Sequence, residues 1–202
     1  MTIAFRDLAM EPAPERFIPA AAPWVVEAGN PYLEWFFGRH DIRVRVERWM
    51  RRPSSEVAIQ RAVVLEVDGV VAGGYIFVPG AELRTCRMAD AVAALAEASG
   101  SLEDVRHRMR LAKDLFRLPP DRALYLSKLG VLPPHRGGGL GGHLLDRFIE
   151  QGLAAGCEEL RLDVHEGNVR ALDLYQRAGF RVLSRAALPD TSITYLSMAR
   201  AC

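Results

Sequence analysis

The run Val131-Leu-Pro-Pro-His-Arg-Gly-Gly-Gly-Leu-Gly-Gly142 carries the densest chemistry in the chain. Two prolines stop an apolar strand, glycines turn the chain, and a helical pattern opens after them. Such a turn leaves backbone N–H groups unpaired at a helix N-terminus, where the dipole favours an anion. Glycine at 137, 138, 139, 141 and 142 keeps side chains clear, so phosphate oxygens can approach the amides. Arg136 adds a fixed positive charge at the mouth. Capture of a phosphate-bearing ligand is the chemistry this order of elements suits; the bland alternative is a flexible loop in a chain with 17 glycines. No Lys-Ser/Thr follows, which excludes a Walker A loop. Gly137, Gly139 and Gly142 also satisfy Gly-x-Gly-x-x-Gly, with Glu158 and Glu159 about twenty residues on, as a dinucleotide site requires. Against that, the motif lies two-thirds along the chain, and Leu132–His135 separate the strand from the first glycine.

The elements that must position this loop follow from periodicity. Residues 123–131 read as a strand, 139–155 as a helix striped by Leu140, Leu144, Leu145, Phe148, Ile149 and Leu153, and 158–164 as a strand. A helix over 168–178 and strands at 180–184 and 192–198 complete a βαβαβ pattern with a last strand. Upstream, 62–67 and 70–77 flank Asp68-Gly69, which suits a type I′ hairpin closed by Pro79-Gly80. A weak first strand lies at 2–8, and 12–52 is helical in pieces, broken at Pro23 and at Gly29-Asn30-Pro31. That stretch holds Trp24, Trp35, Trp49, Tyr32, Phe36 and Phe37, which either pack helices on the sheet or wall a substrate. Between hairpin and glycine loop, 88–98 and 102–117 read as two helices, the second capped by Ser101 with Asp104. With no repeat or linker, the chain reads as a single domain, 1–202.

The pattern Arg136-x-x-Gly139-x-Gly141, after a strand ending Leu129-Gly-Val131-x-Pro133, resembles the acetyl-CoA motif of the GNAT N-acetyltransferase superfamily. The stretch Asn168-x-x-Ala171-x-x-x-Tyr175-x-x-x-Gly179-Phe180 is similar to the second half of that signature. The likeness is strong over 123–184, fair over 60–77 and weak over 1–59. It implies an α/β (α+β) fold: a mixed, strongly twisted central sheet with flanking helices and two central strands splayed apart. A helical insertion at about 81–122 precedes the cofactor-binding strand, placed to cover the acceptor side of the cleft or to build a dimer face.

The likeness further implies acetyl-CoA as cosubstrate and no metal. The pyrophosphate would take amides of Arg136, Gly137, Gly138, Gly139, Gly141 and Gly142, and pantetheine would pair along Leu129 and Val131, with Asn168 bonding its arm. Asn168 also starts a helix, so an N-cap is a rival or concurrent role. Tyr175 occupies the position of the acid that protonates the departing thiolate; an ordinary buried tyrosine is the alternative. The implied reaction is direct attack of a primary amine of a small molecule or peptide on the thioester, or, on the same scaffold, acyl-CoA binding without catalysis.

An amine is protonated at neutral pH, so a base must take its proton. The strand 124–131 offers only Tyr125, Ser127 and Lys128 as polar members. Glu34, Glu66 and Asp163 are candidates, none favoured, because a lone carboxylate is usually solvated. His135, His143, His165 and Glu166 read as surface or loop-edge residues. With 26 basic and 25 acidic residues, net charge is +1, which speaks against a nucleic-acid partner. No apolar run approaches the roughly 18 residues of a membrane span, and Arg6-Asp7 puts charge where a secretion signal needs apolar residues. Cys86, Cys157 and Cys202 fit no metal or disulfide spacing, so a reducing cytoplasm is expected. Oligomeric state stays open between a monomer and a homodimer, the symmetric dimer being the commonest assembly among soluble oligomers.

Overall fold

A computed structural model describes residues 2–97 and 101–202. Its elements are β1 (Ile3–Asp7), α1 (Ile18–Gly29), α2 (Tyr32–Phe37), α3 (Ile42–Met50), β2 (Ala62–Val67), β3 (Val70–Pro79), α4 (Gly80–Ala96) and α5 (Leu102–Ala112), followed by β4 (Ala123–Val131), α6 (Leu140–Ala154), β5 (Glu159–His165), α7 (Val169–Arg177), β6 (Arg181–Ala187) and β7 (Thr194–Ala201). The strands form one seven-stranded mixed sheet in the order β1-β2-β3-β4-β5-β7-β6. All neighbours are antiparallel except β4 and β5.

Alternation assigns each face its cover. Leu124, Leu126, Leu160, Leu162 and Val164 bury with Leu144, Leu145 and Phe148 of α6 and Tyr175 of α7. On the other face Val64 and Ile76 bury with Trp24 and Val25 of α1, Phe36 of α2 and Trp49 of α3. The aromatic-rich segment therefore does pack helices onto the sheet. Trp24 sits closest: a Cβ on Gly130 of β4 would stand 3.0 Å from the Trp24 carbonyl oxygen, and one on Gly74 of β3 would stand 2.9 Å from its indole. Only bare backbone lets α1 come this near.

The hairpin turn has φ of 49° at Asp68 and 82° at Gly69, as a type I′ turn demands. Ser101 caps α5, its hydroxyl accepting from the Glu103 and Asp104 amides. Three expectations are corrected. Pro23 does not break α1; the Pro19 carbonyl that its missing N–H cannot serve accepts from the Arg43 guanidinium at 3.2 Å. The first inserted helix begins at Gly80, directly after β3, rather than near Met88; its start is pressed so tightly against the Pro120 carbonyl that a side chain at 80 has no room. The second ends at Ala112, short of Arg117. The expected end of the first, Ala98, lies outside the described residues. Among the described residues no helix is long and apolar enough to cross a membrane.

Candidate active site

The parallel pairing of β4 with β5 runs only from Ala123↔Glu159 to Leu126↔Leu162. Beyond it the two strands separate, so the backbone of Ser127–Val131 is left unpaired on that side, as splayed central strands require. On its other side β4 keeps its antiparallel partner, with Tyr75↔Leu129 and Gly73↔Val131 in register. Five residues after β4 the glycine loop opens into α6. Gly139 caps the helix with φ 80°, a left-handed conformation natural to glycine, and no side chain serves the first turn. Among the described residues the amides of Gly137, Gly138, Gly139, Leu140 and Gly141 find no protein acceptor. Those of Arg136 and Gly142 are spent internally, on Pro133 at 3.2 Å and Gly139 at 2.9 Å.

The Arg136 side chain braces the loop more than it projects from it. Its Nε donates to the Val131 carbonyl at 2.8 Å, and its guanidinium pairs with Glu27 of α1 at 2.5 Å. Leu129, Val131 and Tyr175 share one apolar cluster with α6. Tyr175 is buried, and burial pushes its hydroxyl up to about 12, so it stays protonated at neutral pH. Asn168 caps α7, its side-chain oxygen accepting from the Ala171 amide at 3.2 Å; the N-cap role is thus filled, with the side-chain NH2 left over.

On the opposite face a cavity of about 350 Å³ reaches the point where β4 and β5 part. A β-bulge places it there: Ile76 pairs with Lys128 and Phe77 with Leu126, leaving Ser127 as the extra residue. Ser127 and Lys128, though consecutive, therefore both line the cavity. Asp163 of β5 alternates with the buried Leu162 and Val164 and faces the same space. The inserted helices roof it, through Arg87, Asp90, Ala91 and Ala94 of α4 and Met109 and Ala112 of α5. The insertion is thus a wall of the chamber. Glu97, just past α4, fastens this roof to α3 by pairing with Arg45 at 3.4 Å, with Arg48 at 3.6 Å and with Arg52, and by accepting from the Trp49 indole at 3.3 Å.

At the cavity's polar end the charged groups are knitted together. The Glu56 carboxylate accepts from Ser127 Oγ at 2.7 Å and pairs with Arg87 at 3.0 Å. Burial alone would raise it, but the positive charge of Arg87 and Lys128 with the Ser127 hydrogen bond brings it down to about 2. Arg87 lies over the Phe116 and Tyr125 rings, 5.8 and 5.0 Å from their centroids. Asp90 accepts from the Glu56 amide at 2.9 Å, and burial lifts it to about 6. Tyr125 donates to Asp163 at 2.8 Å, and burial raises that carboxyl too. The Lys128 ammonium donates to the Ser127 carbonyl at 3.0 Å, and burial lowers its pKa.

Of the sequence candidates for a base, only Asp163 lines this cavity. Glu66 is held at 3.1 Å by Arg6 on the β1–β2 edge, and Glu34 bonds Asn30 and Arg39. Glu56, Arg87 and Asp90 were not legible as site residues. Glu56 lies in an aperiodic loop. The spacing 87, 90, 91, 94 marks one helix face, and a charged pair on the buried side of an Ala-rich helix was the available signal.

The family model described as "Acetyltransferase (GNAT) family" matches residues 25–180. A thialysine N-epsilon-acetyltransferase of Bos taurus is 40% identical over 65 residues, which are 32% of this chain and only 38% of that protein. An N-acetyltransferase from Staphylococcus aureus Mu50 superposes with a TM-score of 0.66 at 19% identity, over 98% of this chain and 100% of that one. A PaiA N-acetyltransferase from Thermoplasma acidophilum, solved in complex with coenzyme A, has a TM-score of 0.58 at 14% identity, over all of both chains. These structural likenesses show a shared fold.

Proposed function

The chain belongs to the GNAT acetyltransferase family, and from that premise we propose that it moves the acetyl group of acetyl-CoA to a primary amine by direct attack. The five free loop amides take the pyrophosphate at the start of α6. Leu129 and Val131, on the unpaired edge of β4, carry the pantetheine, and an amide near Leu129 polarises the thioester carbonyl. The side-chain NH2 that Asn168 keeps free bonds the same arm. The amine nitrogen, having given up its ammonium proton to a carboxylate of the cavity, attacks the carbonyl carbon. A C–N bond forms, the C–S bond breaks, and the thiolate leaves with a proton from Tyr175. The second amine proton departs as the amide forms and restores the tyrosine through solvent. The three free cysteines suit a cytoplasmic setting.

The observation that carries this reading is the meeting of two sites at one opening. Free amides lie beyond the parted strands on one face, and a chamber of charged and apolar side chains ends at the same parting on the other. Thermal shift with acetyl-CoA, CoA, NAD and ATP tests it: at about 100 times its dissociation constant the right ligand adds roughly 2.7 kcal/mol. Stabilisation by both CoA species and not by NAD or ATP is expected; indifference to CoA species removes the reading. A binding-only module is the second reading. It is favoured by Glu56, whose carboxylate is tied to Arg87 and held near 2, too acidic to serve as base. Release of free thiol with any amine decides against it.

A further inference from the structure

The cavity is short of one cation, and two of its buried carboxylate oxygens complete no hydrogen bond among the described residues. At its polar end Glu56, Asp90 and Asp163 face Arg87 and Lys128, so the carboxylates outnumber the cations. Lys113 also borders it but is exposed, with its ammonium 3.9 Å from Asp114. Arg87 answers Glu56 at 3.0 Å. Lys128 donates to the two oxygens of Ser127 at 3.0 and 3.3 Å, and among the described residues it forms no ion pair. Asp90 and Asp163 each have one oxygen served, by the Glu56 amide at 2.9 Å and by the Tyr125 hydroxyl at 2.8 Å. The other oxygen of each is buried and completes no hydrogen bond among the described residues, with the Ser55 hydroxyl beside Asp90 and the Ser197 hydroxyl beside Asp163. Leaving such acceptors empty is costly, and native folds seldom do so without a use for them.

Away from that end the chamber is mainly apolar, the Tyr32 and Tyr195 hydroxyls aside. Leu33, Phe36, Phe37, Val46, Trp49 and Met109 line it, and the one polar atom of that group, the Trp49 indole nitrogen, already donates to Glu97 at 3.3 Å. A volume of about 350 Å³ stands at the small end of the range for small-molecule sites.

We propose, resting on the acetyl-transfer reading above, that the acceptor is a small primary amine with a compact apolar or aromatic tail, its ammonium taken by the unpartnered oxygens of Asp90 and Asp163 and its tail by the aromatic chamber under α4 and α5. The ammonium supplies the missing charge and donates to both oxygens. A polyamine's second charge would meet rings, aliphatic carbons and at most a tyrosine hydroxyl, with no second carboxylate pair to answer it. A peptide's backbone amides would lose their water there and find only the Tyr32 and Tyr195 hydroxyls in exchange.

The test uses the full chain and titration calorimetry with 2-phenylethylamine, 2-phenylethanol (same tail, no charge), ethylamine (same charge, no tail), spermidine and a short peptide with a free N-terminus. Binding is measured with and without CoA, and thiol release with acetyl-CoA is followed separately. The aromatic amine is expected to bind at least about tenfold tighter than each comparison ligand. Asp90→Asn and Asp163→Asn, both close in shape to the native side chain, are each expected to weaken it roughly tenfold to a hundredfold, with the acetyl-CoA thermal shift unchanged. Equal affinity for the alcohol overturns the ammonium site. Preference for spermidine or the peptide, with acetyl-CoA still bound and turned over, overturns the substrate class while leaving acetyl transfer standing. Tight, aspartate-dependent binding of the aromatic amine in a protein that ignores every CoA species upholds the cavity's selectivity and overturns acetyl transfer instead. If one variant fails to fold, the other carries the same comparison.

Discussion

The two faces of the sheet handle charge in opposite ways. Beneath α6 and α7 the buried cluster is apolar apart from tyrosine hydroxyls, and the main-chain amides without a protein acceptor lie in an exposed loop. Beneath α1 to α5 the wall buries carboxylates, a guanidinium and an ammonium in one hydrogen-bonded net. A site made of backbone can be written in a few consecutive residues, because only glycines and a helix start are needed. A site made of side chains is assembled from whatever the fold brings together: Glu56 from a loop, Arg87 and Asp90 from an inserted helix, Lys128 and Asp163 from two strands.

The sharpest way to break that division is Tyr175→Phe, since Tyr175 is the side chain on the backbone-dominated face to which chemistry is assigned. Turnover is expected to fall about 10²–10⁴-fold, with acetyl-CoA affinity unchanged by calorimetry. A fall in affinity without loss of turnover would make it a binding residue. Gly139→Val acts on the main chain instead. Forcing a β-branched residue to φ 80° costs about 1–3 kcal/mol and is expected to abolish the acetyl-CoA thermal shift while amine binding persists. Loss of both would mean that the faces are not separable.

Glu97→Gln tests the opposite face. It leaves Arg45, Arg48 and Arg52 facing one another, so a loss of about 1–2 kcal/mol in denaturant stability is expected, with amine binding weakened more than acetyl-CoA binding. Equal weakening would mean that the roof supports the whole fold rather than the chamber.

Asp90→Asn is expected to change stability in the opposite direction. Burial holds Asp90 near 6 in the fold, above its ordinary carboxylate value, so the native state binds this proton more tightly than the unfolded chain. Its contribution is fully present below about pH 4 and is lost as pH rises through 6. The variant is therefore expected to be more stable than its parent by about 2–3 kcal/mol above pH 6, the gap closing toward pH 4. Glu56, Lys128 and Ser55 surround Asp90 in both proteins and cancel in that difference to first order. A gap independent of pH would show that charge at position 90 is not what the fold resists.

The same contrast explains what could be read from sequence. From β4 onward most element limits fell within two residues of the expected ones, because each is punctuated by proline, glycine or an N-cap: Pro133 after β4, Gly139 before α6, Asn168 before α7. Where punctuation was ambiguous the reading slipped. Pro23 signals a break, yet α1 runs through it because a guanidinium from another helix repairs the loss. Pro79-Gly80 signals a stop, yet it is where a strand passes straight into a helix. Asp163 could be anticipated from alternation, whereas Lys128 joins Ser127 on the cavity side through a bulge that one-strand periodicity cannot reveal.

The close seat of Trp24 on Gly74 and Gly130 gives the molecule a native optical readout. Its indole rests against β4 between Leu129 and Val131, while a second indole, Trp49, stands in the wall of the amine chamber. Under the proposed two-substrate cycle each ligand comes to lie near its own chromophore. With Trp35 replaced by phenylalanine in the background, replacing Trp24 or Trp49 in turn separates their emission, so the order in which the two ligands arrive can be followed in unlabelled protein by stopped-flow fluorescence.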